Sequence, residues 1–253
     1  MRTVRKKGAL VLALFMACSL PACAPDNAPR QNDGLELVVL HTNDRHAFLA
    51  GMDKYGNASL DGAGSRGGLG RVSAAMKAVR EDRDNVIALD AGDQFQGTLF
   101  YSVNKWPMIA DVDRVVPWDA MTLGNHEFDE GCGELARFME AAPVPVLAAN
   151  LAPEEGCPLR GARTASHIIK KVRGVKVGIV GLANDKVSTL AAACPHTAFL
   201  PAEETLRREV KALEAEGVRH IVAVTHLGLP EDRELARSVN GVDVIVGGHT
   251  HNY

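Results

Sequence analysis

The stretch Thr122-Leu-Gly-Asn-His-Glu-Phe-Asp129 decides how the rest of this chain is read. It places an amide oxygen (Asn125), an imidazole (His126) and a carboxylate (Asp129) within five residues. A short apolar run, 120–123, precedes it and reads as the end of a buried strand. A structural loop has no need of these groups at this density. A site that manages the charge of a phosphate uses all three.

Four other segments have the same form. Residues 35–40 (LELVVL) read as a buried strand that runs into His41-Thr-Asn-Asp44-Arg-His46. Asp44 and His46 lie two apart, which in extended backbone points both side chains to one side. His41 belongs with the strand. Residues 86–91 (VIALDA) form a second buried strand that ends in Gly92-Asp93. The run 221–225 ends in His226-Leu-Gly228, and 242–246 ends in Gly247-Gly-His249-Thr-His251. Each residue alone has a plainer reading, Asp93 as a helix cap or His46 as a surface residue. Of the nine histidines, however, five sit in these strand-end loops, and scattered core histidines would not sort that way.

Helical patterns separate the strands at 69–83, 133–142, 203–216 and around 232–239. The segment 97–118 is helical in part, with Pro107 at a helix start. Arg173-Gly174 joins two β-rich runs as a hairpin. Such alternation predicts largely parallel strands, with ligands beyond their carboxyl ends. Gly62-Ala-Gly64-Ser-Arg-Gly67 matches a dinucleotide-binding pattern, but a polar loop precedes it where a strand is required, so that reading is rejected. Asn150 is expected to satisfy backbone groups, and Trp106 and Trp118 to lie in the core.

Composition sets the bounds. The chain has 253 residues, 46% hydrophobic and 23% charged, which suits one large α/β domain or at most two small ones. A net charge of -3 gives no electrostatic case for a nucleic-acid partner. Arg2, Arg5, Lys6 and Lys7 followed by the apolar run 9–20 read as an export signal, too short to span a bilayer. Leu20-Pro21-Ala22-Cys23 is similar to a lipobox, which makes Cys23 a lipid-bearing residue and the sole membrane link; Ala22-Cys23-Ala24 offers an ordinary cleavage site instead. Residues 24–34 read as a flexible tether. Cys132, Cys157 and Cys194 allow three single pairings and are taken as structural.

The donor set is mixed: imidazole, carboxylate and amide. That suits Zn²⁺, Mn²⁺ or Fe better than Ca²⁺ or Mg²⁺. Two divalent ions against Asp44 and Asp93 leave a net positive site for an anionic ester.

Together TNDRH, GDQFQGT, GNHEFD, THLG and GGHTH resemble the calcineurin-like metallophosphoesterases, and more narrowly the exported 5'-nucleotidase branch. The likeness runs from about Leu35 to the last residue. It implies an α/β fold, the four-layer α/β/β/α sandwich. It also implies that this sandwich is C-terminally truncated over 35–253, because exported nucleotidases continue past GGHTH into further strands and a nucleoside-binding domain. By the same resemblance Asp44, His46 and His251 hold one ion, and Asp93 bridges to a second completed by Asn125, His226 and His249. His126 and Asp129 form the catalytic pair beside a metal-bridging hydroxide. The implied activity is hydrolysis of phosphate esters, 5'-nucleotides above all, in the periplasm or at the cell surface. Two other readings stay open: a non-catalytic exported lipoprotein fragment that binds metal or a partner, and a thiosulfohydrolase-like enzyme on the same framework. Ala47 stands where the family usually has glycine.

Overall fold

The computed structural model describes residues 35–59, 65–185 and 194–252. The export signal and tether read at 1–34, and residues 60–64 of the glycine-rich loop, lie outside the described residues. In chain order the first half contains β1 (Val38–Thr42), β2 (Gly51–Met52), β3 (Ala58–Ser59), α1 (Leu69–Asp82), β4 (Val86–Asp90), α2 (Leu99–Asp113), β5 (Ala120–Thr122) and α3 (Cys132–Ala141). Then follow β6 (Val146–Leu147), β7 (Leu151–Pro153), β8 (Thr164–Ala165), β9 (His167–Val172), β10 (Val175–Leu182), β11 (Thr197–Phe199), α4 (Ala202–Ala215), β12 (His220–Thr225), α5 (Leu229–Ser238) and β13 (Val244–Gly247).

The strands build two main sheets. One is parallel throughout, in the order β1-β4-β5-β6-β8. The other runs β13-β12-β10-β9, parallel except for the β9–β10 hairpin. Arg173 and Gly174 both take positive φ, 48° and 82°, as a tight two-residue hairpin turn requires.

Apolar alternation stacks these sheets face to face. Ile87, Leu89 and Ala120 of the first sheet share a buried cluster with Val177, Ile179, Val222 and Val224 of the second. The outer face of the first sheet, through Ala88, Met121 and Val146, packs with Met76, Ile109, Leu135 and Phe138 of α1, α2 and α3. The outer face of the second, through Val180, Leu182 and Ala223, packs with Leu206, Val210, Leu213 and Leu235 of α4 and α5. The result is the expected α/β/β/α order of layers. Burial on both faces explains why β4 and β12 read as unbroken apolar runs rather than alternating ones.

Two details differ from the sequence reading, and a third follows it. The first strand begins at Val38 and carries through His41 to Thr42, because its register with β4 pairs Val38 with Val86 and Thr42 with Asp90. The long loop after it holds a small hairpin, β2 with β3. As expected, Pro107 stands at a helix start, because the helical path of α2 breaks at Lys105 (φ 57°, ψ -160°). Proline then opens the second stretch, where its missing N–H costs nothing.

Candidate functional site

The strand ends deliver their loops to one rim, and the loops continue the pairing of the strands. The Asp44 N–H donates to Gly92 O at 3.0 Å, His46 N–H to Asp93 O at 3.0 Å, and Ala47 N–H to Gln94 O at 2.9 Å. The backbone there is not extended, as the two-residue spacing of Asp44 and His46 predicted. Asp44 (φ 48°), His46 (φ 43°), Asp93 (φ 54°), His249 (φ 78°) and His251 (φ 52°) are all left-handed, five of the ten described non-glycine residues with positive φ. Each costs about 1–2 kcal/mol relative to ordinary backbone. Strain of this kind gathers at functional sites. Ala47 is left-handed too (φ 52°), a conformation glycine adopts more cheaply.

The second sheet closes on the first through its own loops. His226 is fully buried, and its Nδ1–H donates to Ala91 O at 2.6 Å, the carbonyl just past β4. The His249 N–H donates to the Asp44 carboxylate, 3.0 Å from each oxygen. The side chains of Asp44, His46 and His251 form one group of close donor atoms, and those of Asp93, His226 and His249 another. Asp93 also groups with His46 and His126 and so lies between the two.

Within these groups lone pairs face lone pairs. His46 Nδ1 is 3.2 Å from the Phe95 carbonyl, so its proton belongs there. Its bare Nε2 then meets His251 Nε2 at 3.2 Å. The His226 Nε2 is buried without an aligned hydrogen bond and faces Asp93 Oδ2 at 3.1 Å and Asp44 Oδ1 at 3.7 Å. The Asn125 Oδ1 is also buried with no hydrogen bond. At His226 only a cation, a proton or a metal ion, reconciles acceptors held this close, whereas His251 Nε2–H can donate to His46 as a neutral ring. Burial pulls the His226 imidazole down, but Asp93, the Ala91 carbonyl and Glu127 push it up to about 9. Burial raises Asp93, and His226 with the His126 N–H outweighs that to hold it below the usual carboxylate range. The residues present therefore fit divalent ions bound by nitrogen and oxygen.

His126 begins a single 3-10 turn, His126–Phe128, beside these groups. Its Nδ1 meets Asp129 Oδ2 at 2.7 Å, one turn along. Burial alone would depress the imidazole; Asp129, Asp93 and Glu127 outweigh it and raise the pKa. Its ring centroid lies 5.3 Å from that of His46. All nine residues singled out in the sequence thus lie on this rim or directly beside it, and Asn150, as expected, satisfies both backbone groups of Ala183.

Two buried residues were not picked out from the sequence. Arg45, between Asp44 and His46, turns inward: its Nε meets Asp90 Oδ2 at 2.7 Å and its NH2 meets Asp113 Oδ1 at 3.0 Å. Glu127, between Asn125-His126 and Phe128, is 1% exposed. Burial and the charge of Asp93 push its acid up to about 7, while His226 and backbone N–H groups pull it back toward the carboxylate. A charged residue flanked by outward-facing site residues is a weak signal of such inward placement, and it was the one available.

This sandwich with this rim defines a calcineurin-like phosphoesterase, and the chain belongs to that family, whose model matches residues 37–253. Among its relatives is the snake venom 5'-nucleotidase of Gloydius brevicauda, 36% identical over 86% of this chain and 37% of that protein. Among solved structures, the 5'-nucleotidase precursor from Thermus thermophilus is 39% identical with a TM-score of 0.75, covering 85% of this chain and 42% of that one. The NAD nucleotidase of Haemophilus influenzae is 31% identical with a TM-score of 0.77, covering 86% and 43%. The chain thus spans about two fifths of the length of the relatives it matches.

Proposed function

We propose that this chain is a metal-dependent hydrolase of phosphate esters, with 5'-nucleotides as its substrate class. The observation that carries the reading is Asp93, shared between a donor group from the first sheet and one that spans both. We assign Asp44, His46 and His251 to one divalent ion, Zn²⁺ or Mn²⁺, and Asn125, His226 and His249 to a second, with Asp93 between them. Ions bound there supply Lewis acidity: positive charge against the ester oxygens and a more acidic water for attack.

The chain's own groups do the rest. His126 is the group placed to supply a proton, since Asp129, Asp93 and Glu127 raise its pKa and favour its charged form. As water adds to phosphorus and the ester P–O bond breaks, that proton passes to the leaving oxygen. His126 is then reprotonated from the water consumed, and Asp129 keeps the ring oriented and favours its charged form throughout. The names of the relatives support nucleotides as the substrate. The N-terminal pattern supports export, with the phosphoesterase domain over 35–253 held behind a signal and tether and a lipid on Cys23.

The test is hydrolysis of bis-p-nitrophenyl phosphate with Mn²⁺ or Zn²⁺, then with chelator. Chelator-sensitive turnover supports the enzyme, and none by folded, metal-loaded protein supports a non-catalytic binder. Comparing AMP, a UDP-sugar and a thiosulfonate then separates nucleotidase from thiosulfohydrolase.

A further inference from the structure

Glu127 is held by main-chain groups of two different loops. Its Oε2 accepts the N–H of Gly124 at 2.5 Å and of Asp93 at 3.0 Å. Its Oε1 accepts the N–H of Gln94 at 2.8 Å and of Phe95 at 3.3 Å. Three successive amides of the loop after β4 therefore converge on one side chain from the loop after β5. Converging amides of this kind form an anion-binding concavity. Here the anion is part of the protein.

The connection is reciprocal. The His126 N–H donates to Asp93 Oδ1 at 2.9 Å, so Asp93 gives its backbone to Glu127 and takes the backbone of the residue before it. The loops also touch directly. A Cβ on Gly92 (φ 88°) would run into Gly124 N, and one on Gly124 would run into the Asp93 carboxylate. Asp93 is itself left-handed (φ 54°), a state that persists only where the surroundings over-determine it. The Glu127 carboxylate supplies that constraint with hydrogen bonds to the N–H groups of 93, 94 and 95.

We propose that Glu127 is a positioning residue: a buried carboxylate clamp that fixes Asp93 against Asn125 and His126, and so sets metal affinity without touching metal or substrate. This rests on the metal-site reading above. Nothing at 127 faces the rim, because its oxygens are taken up by the backbone. Its effect must pass through Asp93.

The experiment compares full-length parent, Glu127→Gln and Glu127→Asp by chelator competition for Mn²⁺, on protein shown to be folded by circular dichroism. Gln offers one acceptor where two are needed and turns a donor toward the amides. Asp keeps the charge but not the reach. Two variants are made so that either, once folded, gives the answer. Loss of such outer hydrogen bonding weakens metal binding by roughly 10–100-fold, and we expect that loss in Mn²⁺ affinity, with kcat reduced and KM for substrate held. Leu213→Ala, on the buried face of α4, is the control: it lowers the melting temperature and leaves Mn²⁺ affinity at the parental value. A folded Glu127 variant that binds Mn²⁺ as the parent does would overturn the clamp and leave the metal site standing. A parent that binds no Mn²⁺ would overturn the site and the clamp together.

Discussion

His46 and His251, 205 positions apart, face each other nitrogen to nitrogen at 3.2 Å. Asp44 Oδ1 lies 3.5 Å from the same His251 nitrogen. Two neutral imidazoles share that contact as an N–H···N hydrogen bond, and a divalent ion placed between them would use both ring lone pairs and the Asp44 oxygen instead. Metal binding to the folded state alone stabilises it by about 2.7 kcal/mol at a hundredfold excess over Kd. In a domain of this size that corresponds to about 5–10 °C in melting temperature. Mn²⁺ or Zn²⁺ is expected to raise the melt by that order, and chelator to reverse it. His251→Ala should lose a large part of the gain; an unchanged metal response in that variant would exclude His251 as a ligand.

His126 is set apart from the other histidines by its bond to Asp129 at 2.7 Å. Removing a general acid costs roughly 10²–10⁴-fold in rate. His126→Ala is expected to show that loss in kcat while its Mn²⁺ stoichiometry stays parental. Parental turnover of a phosphate ester by this variant would make the proton-transfer role untenable.

Arg45 bridges two carboxylates, Asp90 and Asp113, whose side chains have no exposed surface. Burial raises the Asp113 acid, and Arg45 acts against that. The indole N–H of Trp118 and the hydroxyl of Thr42 complete the cluster. Arg45→Met leaves both acids without a counter-ion and is expected to cost about 3–5 kcal/mol in urea denaturation. Arg45→Lys keeps the charge but not the fork, and should fall between. Equal midpoints for Met and parent would show that the cluster contributes nothing net.

The order of strands and helices was legible because periodicity and strand-end chemistry agreed. VIALDA ahead of Gly92-Asp93 reads one way only, and β4 is buried at every position. Asp44 and His46 do come together with His251, though not through the local backbone the spacing implied. The sequence implied extended backbone, and the structure has two left-handed residues, since nothing in side-chain identity marks a non-glycine positive φ. Arg45 and Glu127 were passed over because charged residues are usually solvated. Their burial is tertiary: the groups that satisfy them come from positions 90, 93–95 and 113. The pairing of the cysteines was illegible for the same reason, since spacing alone does not bring α3 to the segment before β11.

Asp232 lies under the second sheet's loops, where its Oδ1 accepts the Thr225 hydroxyl at 2.6 Å. Burial pushes its acid up to about 6, the Thr225 bond opposes this, and Glu231 adds to it. An acid raised in the folded state contributes stability that is complete below its unfolded pKa of about 3.9 and lost as pH rises through the folded value. Asp232→Asn keeps an acceptor for Thr225 and removes the charge. The variant should exceed the parent by about 1–2 kcal/mol at pH 8, after allowance for partial solvent screening, and converge with it near pH 4. Urea midpoints at the two pH values check this. A difference that is the same at both would remove Asp232 as the source.

Cys132, the first residue of α3, is bonded to Cys194, 62 positions away. Cys157 is free and buried, with its sulfur 3.8 Å from that of Cys132. The Thr197 hydroxyl lies 3.1 Å from Cys157 Sγ and 3.3 Å from Cys132 Sγ, so the three sulfurs gather around one residue of β11. Closing a loop of this length removes unfolded-state entropy equivalent to about 4 kcal/mol. Cys194→Ser is therefore expected to lower stability by that order, and Cys157→Ser by about 1 kcal/mol or less, since a hydroxyl there can keep the Thr197 contact. Alkylation of denatured, unreduced protein followed by peptide mapping should label Cys157 and spare Cys132 and Cys194. Label on Cys194 under those conditions would mean that the bridge joins a different pair.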